Sequence, residues 1–406
     1  MRGSVEQLIK NGKRFYVPRR PSELLALLAL STTLFLFLHT RDLQVKLKEM
    51  ETRATGESAA SSSRGIASSL AESAVNTVVI TSGGDPTSSS SSSKIMLAAL
   101  AGTLPQGVVT EEIDVTALNN TARAKKDIIF FNRVPKVGSQ TIMELIRRLS
   151  HRNGFNFHRD KVQRVESIRL APRDESYLAQ VVSNYEPPSV YVKHVCFTNF
   201  TKYGYPEPIY INLVRDPVER VISWYYYIRA PWYYVERKQV FPDLPLPDPN
   251  WLKKDFETCV LRGDRECRFI EGETREGIGD HRRQTLFFCG HGEECTPFNT
   301  EGALQRAKAA VERHYAVVGV LEEFNKTLSV FEHYIPRFFS GASQVYWDSA
   351  HSLSKINKNL YKPTVSEEIK NLVRQNFTRE TEFYQFCRQR LHKQYVALHG
   401  LGLISN

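Results

Sequence analysis

The chain has 406 residues, 41% of them hydrophobic, with 54 Lys and Arg against 44 Asp and Glu, a formal net charge of +10. That apolar content excludes a wholly disordered chain and leaves room for two domains, or for one large domain with appendages. The charge calls for an acidic partner, whether nucleic acid, an anionic membrane, a polyanionic sugar or a phosphorylated cofactor; with no zinc-finger spacing, RRM signature or basic heptad helix, no nucleic acid is expected.

Residues 1–20 carry Arg2, Lys10, Lys13, Arg14, Arg19 and Arg20 against Glu6 and read as a cytoplasmic tail. Residues 24–38 are apolar apart from Ser31, Thr32 and Thr33. This run lies at the short end of a spanning helix, so residues 21–39 are expected to be a transmembrane signal anchor. A cleaved signal peptide is the alternative, but His39, Thr40, Arg41 and Asp42 follow in place of a small-x-small cleavage motif. The basic flank precedes the apolar run, which keeps the N-terminus cytoplasmic and sends the rest into the lumen. Residues 40–124 include SAASSSR at 58–64 and consecutive serines at 88–93. Such a composition buries too little apolar surface to fold alone and reads as a disordered stem. Residues 125–406 are globular in composition and form the expected lumenal domain.

The globular part opens on IIFF at 128–131, a buried-type strand. A polar turn with Asn132, Arg133, Pro135, Lys136, Gly138 and Ser139 follows, then a helical pattern with Ile142, Leu145, Ile146 and Leu149 on one face. Strand, Gly/Ser loop and helix N-terminus make an anion site, to which Arg133 and Lys136 add full charges. No Gly-Lys-Ser/Thr triplet ends the loop, so it is not a Walker A sequence. An ordinary strand–helix turn with solvated basic residues has the same pattern. Residues 151–174 are basic, with His158 and Arg159 among them, and read either as solvated surface or as the wall of an acidic-substrate cleft.

Residues 189–197 alternate as a strand, with His194 near the end, where a histidine is more often packed than catalytic. PIYINLV at 208–214 is another buried-type strand. It runs into Arg215, then Asp216 and Pro217, an N-cap and first-turn pair opening a helix. Arg215 at the strand end and Ser223 two turns into the helix can approach one anion from two sides, a second strand–helix anion site. Tyr225, Tyr226, Tyr227, Trp232, Tyr233 and Tyr234 follow, either as core or as an aromatic wall for a base or sugar. Residues 241–250 should form an exposed proline-rich loop, and 251–261, 303–315, 323–333 and 365–391 should be helical, with a strand at 316–320. Arg237, Arg282 and Arg283 join His158 and Arg159 as candidates to face an acidic acceptor.

Cys259/Cys267 and Cys289/Cys295 lack C-x-x-C spacing, so zinc is not expected, and in an oxidising compartment they would close two small loops. Sequons stand at Asn119, Asn199, Asn325 and Asn376, in keeping with a lumenal domain.

NRVPKVGSQT at 132–141, YVKHVCFTNF at 191–200, IYINLVRDPVERVISWYYYIR at 209–229, FFCGH at 287–291, VGVLEE at 318–323 and PRFFSGA at 336–342 resemble the uronic-acid 2-O-sulfotransferases. That family takes in heparan sulfate and uronyl (dermatan/chondroitin) enzymes and an insect branch associated with embryonic dorsal–ventral patterning. The resemblance implies an α/β, P-loop-like sulfotransferase fold with a central parallel sheet flanked by helices, behind a Golgi type II anchor. The sulfonate donor would be 3′-phosphoadenosine 5′-phosphosulfate (PAPS), with no metal. Arg133, Lys136, Gly138, Ser139, Gln140 and Thr141 would form the 5′-phosphosulfate loop, and Arg215 and Ser223 would take the 3′-phosphate. His194 would be the catalytic base and Lys136 would stabilise the leaving phosphate; Glu144 is a second candidate base. The Cys spacings match the family's two disulfides, the acceptor would be an acidic polysaccharide or glycoprotein glycan, and a homotrimer is expected. Two departures lean away from the heparan branch: Val192 replaces the first histidine of a His-Gly-His-Val run, and Ser340 replaces a basic residue. A P-loop kinase or phosphatase would need the missing Lys-Ser/Thr pair and an acidic magnesium site. A non-catalytic lumenal glycosaminoglycan-binding protein keeping only the fold is the other alternative.

Overall fold

The strands expected at 128–131, 208–214 and 316–320 all form, and they form because each is a nearly continuous apolar run that can be covered on both faces. In the computed structural model, which describes residues 117–164, 167–274, 281–355 and 362–403, they are β1 (Ile128–Asn132), β4 (Ile209–Val214) and β5 (Tyr315–Val320), every residue of them buried. β2 (Asn156–Arg159) and β3 (Ser189–Lys193) complete a sheet of order β2-β3-β1-β4-β5 with every pairing parallel. β2 was not expected. It is a four-residue edge strand, half-exposed along its length, so it needs no apolar pattern.

The connecting helices are α1 (Ser139–Asn153), α2 (Pro172–Ser183), α3 (Pro217–Tyr227), α4 (Pro231–Val240), α5 (Glu301–His314), α6 (Phe324–Tyr334), α7 (Glu367–Arg374) and α8 (Thr378–Gly400). α1 buries Ile142, Leu145, Ile146 and Leu149 as their spacing requires. The span 365–391 is not one helix: α7 ends before Phe377, whose fully buried ring packs on Phe269 and Phe298. Likewise 251–261 divides into Pro249–Lys253 and Phe256–Leu261. A cluster of Val218, Val221, Ile222, Tyr225 and Tyr226 from α3 with Phe256, Phe298 and Val373 packs α3 against the helix Phe256–Leu261 and α7. Each such ring or aliphatic side chain contributes ~1.5–3 kcal/mol on full burial.

Cys259–Cys267 and Cys289–Cys295 are bonded, and Cys196 and Cys387 are buried free thiols. The domain begins earlier than residue 125. Leu118 O accepts from Arg390 and Gln394, Asn120 donates to Glu312 O and Tyr315 O, and Thr121 donates to Tyr334 O. The tail, the anchor and the rest of the stem lie outside the described residues; among the described residues no helix is long and apolar enough to cross a membrane. Of the sequon residues, Asn325 and Asn376 are exposed, while Asn119 and Asn199 are half-buried and cap short 3-10 turns.

Candidate active site

In an open parallel sheet, ligands bind beyond the carboxyl ends of the strands where the connections diverge. Here β1 connects toward β2 and β4 toward β5, so the divergence falls between β1 and β4. Both expected anion sites lie there: the loop after β1, and Arg215 after β4.

The loop is shaped by buried polar groups. Asn212 on β4 accepts from Val134 N at 3.4 Å and donates to Asn132 O at 2.7 Å, and Ser139 Oγ closes the loop on Val134 O at 2.8 Å. Lys136 and Gly138 both adopt left-handed backbone, φ 65° and 78°. The backbone N–H groups of Val137, Gly138, Ser139 and Gln140 donate to no described residue. With the α1 N-terminus they make a concave donor surface for an anion. A Cβ on Gly138 would lie 2.5 Å from Leu321 Cδ1 in a conformation that side chains avoid. Gly138→Ala is therefore expected to cost about 1–3 kcal/mol of stability, measured by denaturant unfolding.

Lys136 Nζ sits 3.8 Å from the centroid of the Tyr227 ring. That ring is braced by Trp224, Trp232 and Tyr233. Burial, then the charges of Arg215 and Lys362, bring the Lys136 amine down to about 7. Of the aromatic run, Tyr225 and Tyr226 are core, while half-buried Tyr227 faces the loop lysine. Arg220, fully buried, supports the loop by donating to Pro135 O and His281 O, each at 3.0 Å.

Arg215 reaches Lys136 O at 3.4 Å and Glu219 at 3.4 Å, and its buried Nε makes no hydrogen bond among the described residues but faces Glu322 Oε1 at 4.0 Å. The Gln284 amide grips its backbone from both sides, accepting from Arg215 N at 2.9 Å and donating to Arg215 O at 3.0 Å. Gln284 N and Thr285 N in turn donate to Glu380, a fully buried carboxyl that burial pushes up to about 7. Ser223 is half-buried on α3. Asp216 caps α3 through Glu219 N, as expected.

His194 Nδ1 lies 2.8 Å from Arg133 O. A carbonyl only accepts, so Nδ1 carries the hydrogen and Nε2 keeps its lone pair. Burial, then the charge of Arg133, holds this imidazole well below its ordinary range, and it is neutral at pH 7. Arg133 itself donates to Gln140 Oε1 at 2.9 Å. Thr141 N bonds Gly138 O, setting the first turn.

Several expectations change. Glu144 is no base: hydrogen bonds from Arg147, then Arg148, hold its carboxyl down to about 2. Arg282 and Arg283 are buried, donating to Glu273 and to Thr296 O, so neither presents a guanidinium to an acceptor. Ser340 lies against Asn153, at the far end of α1 from Lys136, about 22 Å along a helix of that length. Val192 is buried within the sheet. His158 stacks on Tyr185 at 3.9 Å and Arg159 is exposed, both at the carboxyl end of β2. Arg237 joins that side by donating to Arg164 O. Asn212, Arg220 and Glu380 escaped the sequence reading, because nothing but folding brings them to the loop.

Residues 119–387 match the Sulfotransferase family. Uronyl 2-sulfotransferase homolog pip of Drosophila melanogaster is 47% identical over 287 residues, covering 70% of this chain and 56% of that protein. Uronyl 2-sulfotransferase of Homo sapiens is 30% identical over 268 residues, 65% of this chain and 62% of that protein. Heparan sulfate 2-O-sulfotransferase 1 of Xenopus laevis is 31% identical over 283 residues, 68% of this chain and 72% of that protein. The matches thus span 56% and 62% of the length of the two uronyl relatives.

Proposed function

The chain belongs to the sulfotransferase family, and from that premise we propose that it moves the sulfonate of PAPS to the 2-hydroxyl of a uronic acid in a glycosaminoglycan or related glycan. The observation that carries this reading is the pairing of two anion sites across the β1/β4 divergence with a neutral histidine beside them. The 5′-phosphosulfate takes the free N–H groups of residues 137–140 and the Lys136 amine. The 3′-phosphate takes Arg215, whose Nε makes no hydrogen bond and has Glu322 4.0 Å away, and Ser223.

In the transfer, the acceptor oxygen attacks sulfur in line, the new O–S bond forms as the sulfur–phosphate oxygen bond breaks, and adenosine 3′,5′-bisphosphate departs. By analogy with phosphoryl transfer, positioning and charge stabilisation supply most of the acceleration. His194 Nε2 takes the hydroxyl proton. Lys136 neutralises the charge that builds on the departing phosphate oxygen. Tyr227 keeps the amine in place between turnovers. Arg133, whose carbonyl orients His194, links the base to the loop. His158, Arg159 and Arg237 lie on the acceptor side. A binding protein that kept only the fold would have no use for a depressed, correctly tautomerised imidazole at this point. The same reading places the chain in the Golgi membrane as a single-pass type II protein, as a homotrimer; the insect-branch patterning role rests on the resemblance alone.

Lys136 gives the donor site a pH signature. Its amine is about half protonated near pH 7 in the free protein, and the bound anion requires it charged. Donor-product affinity should fall as pH rises above 7, and calorimetry at pH 8 should detect proton uptake on binding. The function is tested by titrating adenosine 3′,5′-bisphosphate, adenosine 5′-monophosphate and ATP without added metal. The bisphosphate is expected to bind at least tenfold tighter than the others; a preference for ATP with magnesium would overturn the assignment.

A further inference from the structure

Lys193 ends β3, one residue before His194. Its backbone is tied to the base through the neighbouring strand: Lys193 O accepts from Arg133 N at 2.9 Å, and Arg133 O accepts from His194 Nδ1 at 2.8 Å. On the other side of β3, Asp160 N donates to Val192 O at 3.2 Å, which sets Asp160 just past the end of β2 and beside Lys193. The two side chains form an ion pair there, with the lysine mostly buried and the carboxylate the more exposed member. Their dependence on each other is unequal. Asp160 has another donor on each oxygen, Lys161 N on Oδ1 at 3.1 Å and Gln163 Nε2 on Oδ2 at 2.9 Å. Among the described residues the Lys193 amine pairs with Asp160 alone. The carboxylate therefore stays hydrogen-bonded when the amine turns away, and the amine is the member able to change partner. Its charge also reaches the base: after burial, Arg133 and Arg220, Lys193 is among the influences that disfavour the His194 imidazolium.

We propose that the Lys193 amine binds the carboxylate of the uronic acid that receives the sulfonate, with Asp160 holding its place when the acceptor is absent. This rests on the transfer reading above. A uronic acid carries its carboxylate on C5, across the ring from C2, so a base and a cation on consecutive residues meet the two ends of one sugar. His194 Nε2 takes the proton of the 2-hydroxyl while Lys193 holds the carboxylate and so fixes which hydroxyl faces the base. Turning the amine from Asp160 to the acceptor exchanges one partly exposed ion pair for another, an exchange of small net cost. A neutral hexose offers no such exchange and leaves the Lys193–Asp160 pair closed. Lys193 thus sets specificity for an acidic sugar by charge.

The test is the rate of transfer by the wild type, Lys193→Met, Lys193→Arg and Asp160→Asn to heparan, dermatan and chondroitin chains, each in native form and with its uronic carboxylates reduced to alcohols. Reduction keeps the 2-hydroxyl and removes the charge. In the wild type it is expected to lower kcat/KM about tenfold or more on whichever chain is labelled, the loss of one charge-assisted bond. Lys193→Met should lose about as much on the native chain, chiefly in KM, and then respond to reduction by less than about threefold. The influence of Lys193 on His194 is common to both forms of the chain and cancels in that ratio. Lys193→Arg should keep the preference for the native chain. Asp160→Asn removes the competing carboxylate and should not raise KM for the native chain. A rise matching that of Lys193→Met would make the pair a structural tie and overturn the assignment, as would a Lys193→Met protein that still discriminates tenfold. If the wild type labels none of the native chains, the transfer reading itself fails; if it labels them and ignores reduction, only the role of Lys193 does.

Discussion

Lys136→Ala is expected to lower kcat/KM for sulfonate transfer by about 10³-fold or more while leaving the fold intact. The size follows from removing a preformed cation aimed at charge that develops in the transition state, typically worth 10²–10³ for a single neutral donor. The fold should survive for two reasons. Lys136 forms no ion pair with a described carboxylate, and its amine is brought down to about 7 chiefly by burial. Between pH 7 and the ordinary lysine range the unfolded chain binds the extra proton, so there the buried amine opposes folding rather than supporting it. Alanine also inherits the left-handed backbone at φ 65° without new strain relative to lysine. Matched unfolding curves and single-turnover rates test this together; near-normal turnover would remove Lys136 from the chemistry.

The second large effect is at His194. His194→Ala should lower kcat by about 10²–10⁴, the usual worth of a general base, with bisphosphate affinity within about twofold. The histidine also has a structural task, since Nδ1 holds Arg133 O at 2.8 Å. His194→Asn separates the two tasks, because its amide can still donate to that carbonyl but offers no basic nitrogen at Nε2. Asparagine should therefore fold better than alanine and turn over as poorly. Equal losses of kcat and affinity in His194→Ala, rescued by asparagine, would make the residue a scaffold. Because burial and Arg133 depress this imidazole, the wild-type kcat at saturating donor should not fall as pH drops through 6.5; Lys136, which charges near pH 7, can only act in the opposite direction. A loss of kcat on acidification through 6.5 would mean that the base is an ordinary exposed histidine.

How much the chain disclosed depends on the range of the forces involved. β1, β4 and β5 were legible because a doubly covered strand is an apolar run, and α3 because Asp216 and Pro217 mark its start locally. The loop 133–141 was legible as glycine, serine and charge between strand and helix. β2 was not, because an edge strand packs too little to leave a pattern. Arg282 and Arg283 misled for a related reason: a basic pair reads as surface unless Glu273 and Thr296 are known to meet it inside. The support beneath Arg215 was equally hidden, since Glu380 and Gln284 are 96 residues apart. Leu118 is tied into the domain by Arg390 and Gln394, which no local composition near the stem reveals.

The most direct measurement is transfer itself. The full chain is incubated with PAPS bearing radioactive sulfur and with heparan, dermatan and chondroitin chains, and the labelled glycans are cut to disaccharides. The account predicts label on the 2-oxygen of a uronic acid in at least one of these glycans, absent with Lys136→Ala. Donor binding with no labelled glycan, or label confined to the hexosamine, would contradict it.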